Sequence, residues 1–479
     1  MKKLNYLSKK ASIGLLLILP PIFFFSYYPI ITLGNNDYMN FELSLPEIWL
    51  VLFSLCQVPR IKTLYNYYGP KKLLFASIFP LYLSLSILWS ENRPRAILTA
   101  GLLWLLIFAT LNIIIFLKSD KTKKLQSSLI RILLVSAVAV SAFCWLQCIL
   151  DVVGVSREAT LLCRGCVSST FGFPHPSGFA IEPQFMGNLL LAPTLLSFYL
   201  LIKKRGSTLL TLFLSTTLFL TLSRGAIYAF IFAFILMLIL IRKKTMLFRP
   251  IAYAFISLVL ALVSFGFLAN FSSTSDDFIT GTTKAIHQLS LGKIDLRPER
   301  VKDEVVSSES SQPADTDDAK EGSSSFSGYV EESTNTRLGL NSLAIRTWTS
   351  SPKYLLIGAG LGSAGPAMHN AFPDEIGPKE IVQNEYVSLL LETGLLGVAI
   401  IMTVVIFTTV YLVKRKIFAN NPLFISIVFA FALTLLFFSG LPNALHIYLF
   451  PLLLFNFNLG SKDDFLVADK VKRHRNSRH

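Results

Sequence analysis

Arg224 stands in Leu222-Ser223-Arg224-Gly225-Ala226, between two apolar runs with no polar linker. A guanidinium in that setting is costly unless it snorkels to the membrane interface or meets an anion. The small Gly225-Ala226 pair beside it leaves room for a ligand or a neighbouring helix to come close. Two further arginines, Arg337 and Arg346, are nine residues apart, about two and a half helical turns, so on a regular helix they point in different directions. Guanidinium forks suit phosphate oxygens, although an arginine on a surface helix is also content in water.

Carboxylates are the second set. Glu385 and Glu392 lie seven apart in Gln383-Asn384-Glu385-Tyr386 and its apolar continuation, which puts them on one helical face within about 11 Å. Glu392 is expensive inside an apolar run: it is either a functional group or a structural hydrogen-bonding group toward a neighbouring helix. Glu182, just before Pro183, is shallower, with helix N-capping as the plain alternative. His175 and His369, the latter followed by Asn370, could each serve as a general base near neutral pH, whereas His446 falls in the last apolar run and reads as an interior histidine. No second histidine or carboxylate stands at ligand spacing, so no metal and no cofactor is expected. Cys163 and Cys166 form an isolated CxxC, read as a small loop-tying disulfide in an oxidising compartment, while Cys56, Cys144 and Cys148 lie in apolar runs. P-loop, GxGxxG and HExxH patterns are absent.

The elements that must position these groups are membrane spans. The 479-residue chain has a formal net charge of +15, yet only 15% of it is charged and 53% is hydrophobic. That balance excludes a soluble basic protein, and nucleic acid with it, because apolar runs near 20 residues, each long enough to cross a bilayer, recur along the chain. Twelve candidate spans follow, at about 11–33, 43–58, 72–90, 96–117, 127–151, 181–202, 207–223, 225–241, 250–270, 386–413, 422–440 and 443–459. With the N-terminus inside, every second connection is basic, and 28 of the 44 Lys and Arg residues fall in cytoplasmic segments, as orientation by positive charge requires. The first run is read as a retained helix rather than a cleaved signal peptide, since Pro20-Pro21 is no cleavage signature.

The expected fold is therefore an all-α polytopic membrane protein of about 12 transmembrane helices. Helices 1–9 occupy 1–270, a large extracytoplasmic loop 271–385, helices 10–12 residues 386–460, and a basic cytoplasmic tail 461–479. Within the loop, 303–334 is acidic and serine-rich and reads as disordered. Its flank has apolar Leu338, Leu340, Leu343, Ala344 and Trp348 at roughly helical spacing, an amphipathic element across the outer mouth of the bundle. Both termini are cytoplasmic and the candidate groups face outward.

In this order, Leu88-Trp89-Ser90-Glu91-Asn92-Arg93-Pro94, Thr221-Leu222-Ser223-Arg224-Gly225-Ala226, Arg337 to Gly362 with Gly358-Ala359-Gly360-Leu361-Gly362, and Asn384-Glu385-Tyr386 to Gly397 resemble the O-antigen ligase and polymerase superfamily of bacterial membrane glycosyltransferases. The resemblance implies a GT-C-like, inverting, metal-independent enzyme of polysaccharide biosynthesis in the cell envelope. It would act at the outer face of the cytoplasmic (inner) membrane on a polyprenyl diphosphate-linked glycan such as an undecaprenyl diphosphate donor. The acceptor would be a glycan, lipid or protein. Arg224 with Arg337 or Arg346 would hold the donor diphosphate, as fixed donors hold an oxyanion. One position departs: Gln383 stands where the family's His-Asn pair, here Gln383-Asn384, has histidine, and Gln383 cannot be a base; His369, Glu385 or Glu392 takes that role, or the diphosphate is a good enough leaving group to need no strong base. Ligase and polymerase are not separated by these residues. The competing reading is a transporter or flippase for a lipid-linked oligosaccharide, which predicts internal repeats and mid-membrane ionisable groups; the polar candidates here cluster at the outer mouth instead.

Overall fold

The computed structural model describes residues 2–25, 31–35, 40–120, 124–155, 176–241, 248–271, 278–290, 293–294, 296, 326–377, 379–414, 420–439 and 444–455. These residues are helical and connecting chain apart from one antiparallel ribbon, Ile31–Asn35 paired with Asn40–Leu43, which adds a short hairpin to the expected all-α architecture. Each of the twelve apolar runs falls on a helix. Seven helices are long and apolar enough to cross a membrane: Tyr6–Phe25, Arg93–Ser119, Lys124–Val152, Pro183–Ile202, Arg224–Ile241, Phe248–Phe271 and Glu385–Lys414. On the last of these Met402, Val405, Ile406, Phe407 and Val410 are 43–61% exposed, an apolar exterior that belongs in lipid rather than water.

Four of the other runs are shorter as helices than as apolar stretches. Leu45–Gln57, Thr208–Leu220 and Pro422–Thr434 each have 13 residues and Leu445–Leu454 has 10, roughly 15–20 Å against a hydrocarbon core of about 30 Å. Caps set their starts: Ser207 Oγ accepts from Leu210 N at 3.4 Å and Asn421 Oδ1 from Phe424 N at 3.1 Å. Ile61–Ser86 bends at Gly69, ahead of Pro70.

The Pro183–Ile202 helix is the axis of the bundle, with 18 of its 20 residues buried, packed against Thr208–Leu220, Arg224–Ile241 and Pro422–Thr434. Gly187 makes one of these contacts possible, since a Cβ there would lie 2.8 Å from Ser223 Cβ and 2.9 Å from Ala226 Cβ. The Ser223-Arg224-Gly225-Ala226 turn is thereby pressed against the central helix.

Over the bundle sits a small second core. Phe326–Thr349, Pro352–Ile357 and Ala364–Ala371 close around Leu343, Ala344, Met368, Ile376, Val382 and Leu391. Leu340 and Trp348 pack against it, while Leu338 is 61% exposed, so the amphipathic stripe is narrower than its spacing predicts. The helix begins at Phe326, inside the stretch 303–334 read as disordered; residues 303–325 lie outside the described residues, as do His175, Cys163 and Cys166.

Candidate functional site

Three separated segments interlock at the N-terminal end of the Glu385–Lys414 helix. That helix kinks at Gly394 (φ 61), so the carbonyls of Leu391 and Glu392 turn outward and accept from Ala359 N and Gly360 N, both at 2.9 Å. Gly358 (φ 77) makes the approach possible: a Cβ there would lie 2.3 Å from the Glu392 carbonyl oxygen. The third segment closes on the same glycine loop. Ser90 Oγ donates to the Leu361 carbonyl at 3.0 Å and lies 2.7 Å from Ser363 Oγ, which accepts from the amides of Glu91 (3.0 Å) and Asn92 (3.2 Å). Asn92 Oδ1 also caps the Arg93–Ser119 helix through Arg95 N at 3.3 Å. Tyr354 and Asn370 both donate to Glu91, the latter at 3.0 Å; burial and the Glu91 carboxylate push the Tyr354 phenol above its ordinary pKa, so it keeps the donated proton.

These contacts build a cleft. Its wall brings together Arg95, Thr99, Glu385, Ser388, Glu392 and Ser439 over an apolar side formed by residues such as Leu361, Val382 and Leu389. The sequence places Glu385 and Glu392 on one helical face, and both line this cleft. Glu392 is 9% exposed; it accepts from Ala364 N at 3.3 Å, lies against the amides of Gly362 and Ser363, and has Arg95 as its charge partner. Glu385 is 3% exposed and accepts from Ser439 Oγ at 3.0 Å.

The arginines lie next door. Arg337 donates to Gln184 Oε1 at 3.2 Å and reaches the Phe437 carbonyl at 3.5 Å, which also accepts from Gln184 Nε2 at 2.6 Å. Arg224 opens the Arg224–Ile241 helix, two residues after Leu222, a non-glycine residue held at φ 48; such strain costs about 1–2 kcal/mol. Gly225 beside it packs on Phe437, a Cβ there lying 3.0 Å from Phe437 Cβ. Arg337 and Gly225, the residue after Arg224, therefore meet at Phe437. Glu182 occupies the N-cap position of Pro183–Ile202 without a side-chain capping bond, which removes the plain capping explanation. Part of its surface is open to solvent, yet the crowding of surrounding protein pushes its carboxyl above the ordinary carboxylate range, and Arg337 pulls it back.

One short connection, Leu435 to Ser439, joins the two groups. Its Leu435 carbonyl accepts from Glu385 N at 2.9 Å, its Phe437 carbonyl receives Arg337, and its Ser439 hydroxyl reaches Glu385. Two residues of chain span at most about 7 Å, so the arginine pair and the carboxylate cleft are neighbouring parts of one surface.

The remaining candidates are placed elsewhere. Arg346 forms a bidentate pair with Glu375 at 3.0 and 3.2 Å, half exposed, and stacks over Phe372 at 4.2 Å. His369 Nδ1 is 2.7 Å from the Ile376 carbonyl, and His369 is not part of the cleft wall. Asn384 Oδ1 caps the Glu385–Lys414 helix through Tyr386 N and Val387 N, with half-buried Gln383 preceding it. His446 is buried among Phe23, Phe185, Phe431 and Phe450. Among the described residues no three His, Cys, Asp or Glu side chains come together as a metal-ligand set.

Sequence reasoning missed Arg95, Thr99, Ser439, Gln184 and Phe437. Arg95 had a signal, since it directly follows the Leu88–Pro94 motif. Phe437 had none, because it contributes a backbone carbonyl.

Residues 209–402 match the family model described as O-antigen ligase. No curated protein matches the chain. The matched stretch contains Arg224, Arg337, Glu385 and Glu392, whereas Arg95, Glu182, Gln184 and Ser439 are supplied by chain on either side of it.

Proposed function

We propose that this protein is a membrane glycosyltransferase that moves or polymerises a polyprenyl diphosphate-linked glycan at the outer face of the cytoplasmic membrane. The observation that carries the reading is that Arg337 and Gly225, the neighbour of Arg224, meet at Phe437, two residues from the Ser439 that holds Glu385. The match over 209–402 supports the reaction class.

Arg224 and Arg337 bind the donor diphosphate. Arg224 sits at the positive end of a helix, where an anion is favoured. As the bond from the anomeric carbon to the diphosphate oxygen breaks, its electron pair passes to the diphosphate, and fixed guanidinium groups stabilise that charge more than they stabilise the ground state. An acceptor hydroxyl attacks from the opposite face in one displacement, which inverts the configuration. Glu385 takes the hydroxyl proton. It is the base in this reading, rather than His369, because it lies in the cleft beside the arginine pair; Ser439 orients its carboxylate. Glu392, paired with Arg95 and the loop amides, holds the glycine loop in register. The chain's own side chains supply every charge in this scheme.

The test is transfer by purified protein from polyprenyl diphosphate-linked glycan to its acceptor. Removal of one such donor group lowers turnover by about 10²–10³-fold in other enzymes, so Arg224→Ala and Arg337→Ala are each expected to fall by at least about 100-fold. Wild-type rates in both variants would remove the diphosphate clamp.

A further inference from the structure

The central helix carries a polar side chain that its packing does not use. Asn188 is 1% exposed, and neither its Nδ2 nor its Oδ1 has a hydrogen-bond partner among the described residues. An asparagine in a membrane helix ordinarily bonds across to a neighbouring helix, and a buried amide left unmatched is unfavourable. Ser223 repeats the pattern across the joint. Its main chain is engaged, the amide donating to Thr221 Oγ1 at 3.3 Å and the carbonyl accepting from Ile227 N at 2.9 Å. Its Oγ is buried and also has no partner among the described residues.

Both residues stand next to the proposed diphosphate site. Ser223 directly precedes Arg224. Asn188 follows Gln184 by one helical turn on the same face, and Gln184 accepts from Arg337. Gly187 joins the two sides, since a Cβ there would lie 3.1 Å from Ser223 Oγ. An amide and a hydroxyl are neutral hydrogen-bond donors, suited to phosphate oxygens whose charge the guanidinium groups of the proposed clamp already balance. Both are covered in this structure, and Leu222 holds the covering turn in a left-handed backbone at φ 48. Backbone strain beside two unmatched polar groups marks a segment that a ligand rearranges.

We propose that Asn188 and Ser223 are donor-binding residues: the turn at 221–224 shifts from Gly187 when the prenyl diphosphate binds, and the Asn188 amide and Ser223 hydroxyl donate to its phosphate oxygens. The identity of the ligand rests on the diphosphate reading of Arg224 and Arg337, and the test separates the two.

The probe is farnesyl diphosphate, with farnesol as the control that lacks the phosphates, titrated by calorimetry into the detergent-solubilised full chain. Asn188→Leu and Ser223→Ala are each expected to raise Kd at least about tenfold, as loss of a hydrogen bond to a charged group does. Each should also leave the ligand-free Tm at or above wild type, because it removes unmatched polar atoms from a buried joint. A purely structural role gives the opposite pair, a lowered Tm with wild-type Kd. In the wild-type chain, farnesyl diphosphate and not farnesol should alter amide hydrogen exchange at 221–227. An unchanged Kd or a lowered Tm in either variant, or equal exchange with both probes, overturns the proposal. If Arg224→Ala and Arg337→Ala lose binding while Asn188→Leu and Ser223→Ala keep it, the clamp stands and the proposal falls. If the polar variants weaken binding and the arginine variants do not, the polar pair stands and the clamp falls. A wild-type chain that binds farnesyl diphosphate no better than farnesol overturns both.

Discussion

Glu182 and Arg337 set up a competition that pH controls. The carboxyl of Glu182 is raised above its ordinary value by the protein around it and lowered by Arg337. Ionised, it draws on the guanidinium that the donor diphosphate needs in the proposed clamp; protonated, it does not. Donor KM should therefore fall as pH drops through the raised pKa of Glu182. Glu182→Gln should show the low KM at neutral pH and lose that pH dependence. The sign follows from a carboxyl that holds its proton to higher pH than a free glutamate, and steady-state donor titrations between about pH 5 and 8 would reveal it. A wild-type KM that falls with rising pH would contradict the pairing. Arg346 makes an instructive contrast at this scale. Sequence treats it and Arg337 alike, but its half-exposed pair with Glu375 is worth at most about 1 kcal/mol, and nothing in its surroundings asks for an anion.

At the scale of elements, the site depends on a backbone joint. The kink at Gly394 releases the carbonyls that bind the glycine loop, and Gly394 itself cannot take a side chain: its Cβ would lie 2.6 Å from Gly358 N and from the Leu356 carbonyl. Gly394→Ala combines a disfavoured backbone with that overlap and is expected to cost about 2–4 kcal/mol, read as a lowered Tm in detergent. Gly377→Ala, with nothing within 4 Å of the added carbon, is the matched control and should leave Tm near wild type. Much of this joint was legible beforehand. Glycines at 358, 360, 362 and 394 and polar residues at 90–92 stood out because they lie in motifs that resemble the O-antigen ligase and polymerase superfamily. What could not be read was their mutual contact, since Ser90 and Ser363 are far apart in sequence and meet only through the fold. The connection from Leu435 to Ser439 was hidden for another reason. Its apolar residues prolong the Pro422–Thr434 run to about 440, but the helix stops at Thr434 and the Leu435 and Phe437 carbonyls bond to Glu385 and Arg337 instead. Hydropathy reports side chains, and this segment works through its main chain.

For the whole molecule, the decisive quantity is orientation. The site at the start of Glu385–Lys414 and the helix Phe326–Thr349 lie at one end of that span, and Lys414 and Asn420 at the other. The distribution of basic residues predicts the ends: Lys414, Arg415 and Lys416 follow the span, and short connections rich in Lys and Arg stay in the cytoplasm. The seven long helices alone cannot settle sidedness, because the shorter apolar helices between them either cross or do not; charge is the independent argument. In a background with the five native cysteines replaced, Thr336→Cys, exposed on the outer helix, should react with a membrane-impermeant maleimide in intact cells. Asn420→Cys, also exposed, should react only after permeabilisation. The reverse pattern would put Arg224, Arg337 and the cleft on the cytoplasmic side, where the donor would have to be bound before it crossed the membrane. The glycosyltransferase reading would then give way to the transporter, since an arginine clamp facing inward suits capture of a lipid-linked glycan for translocation and not its transfer outside.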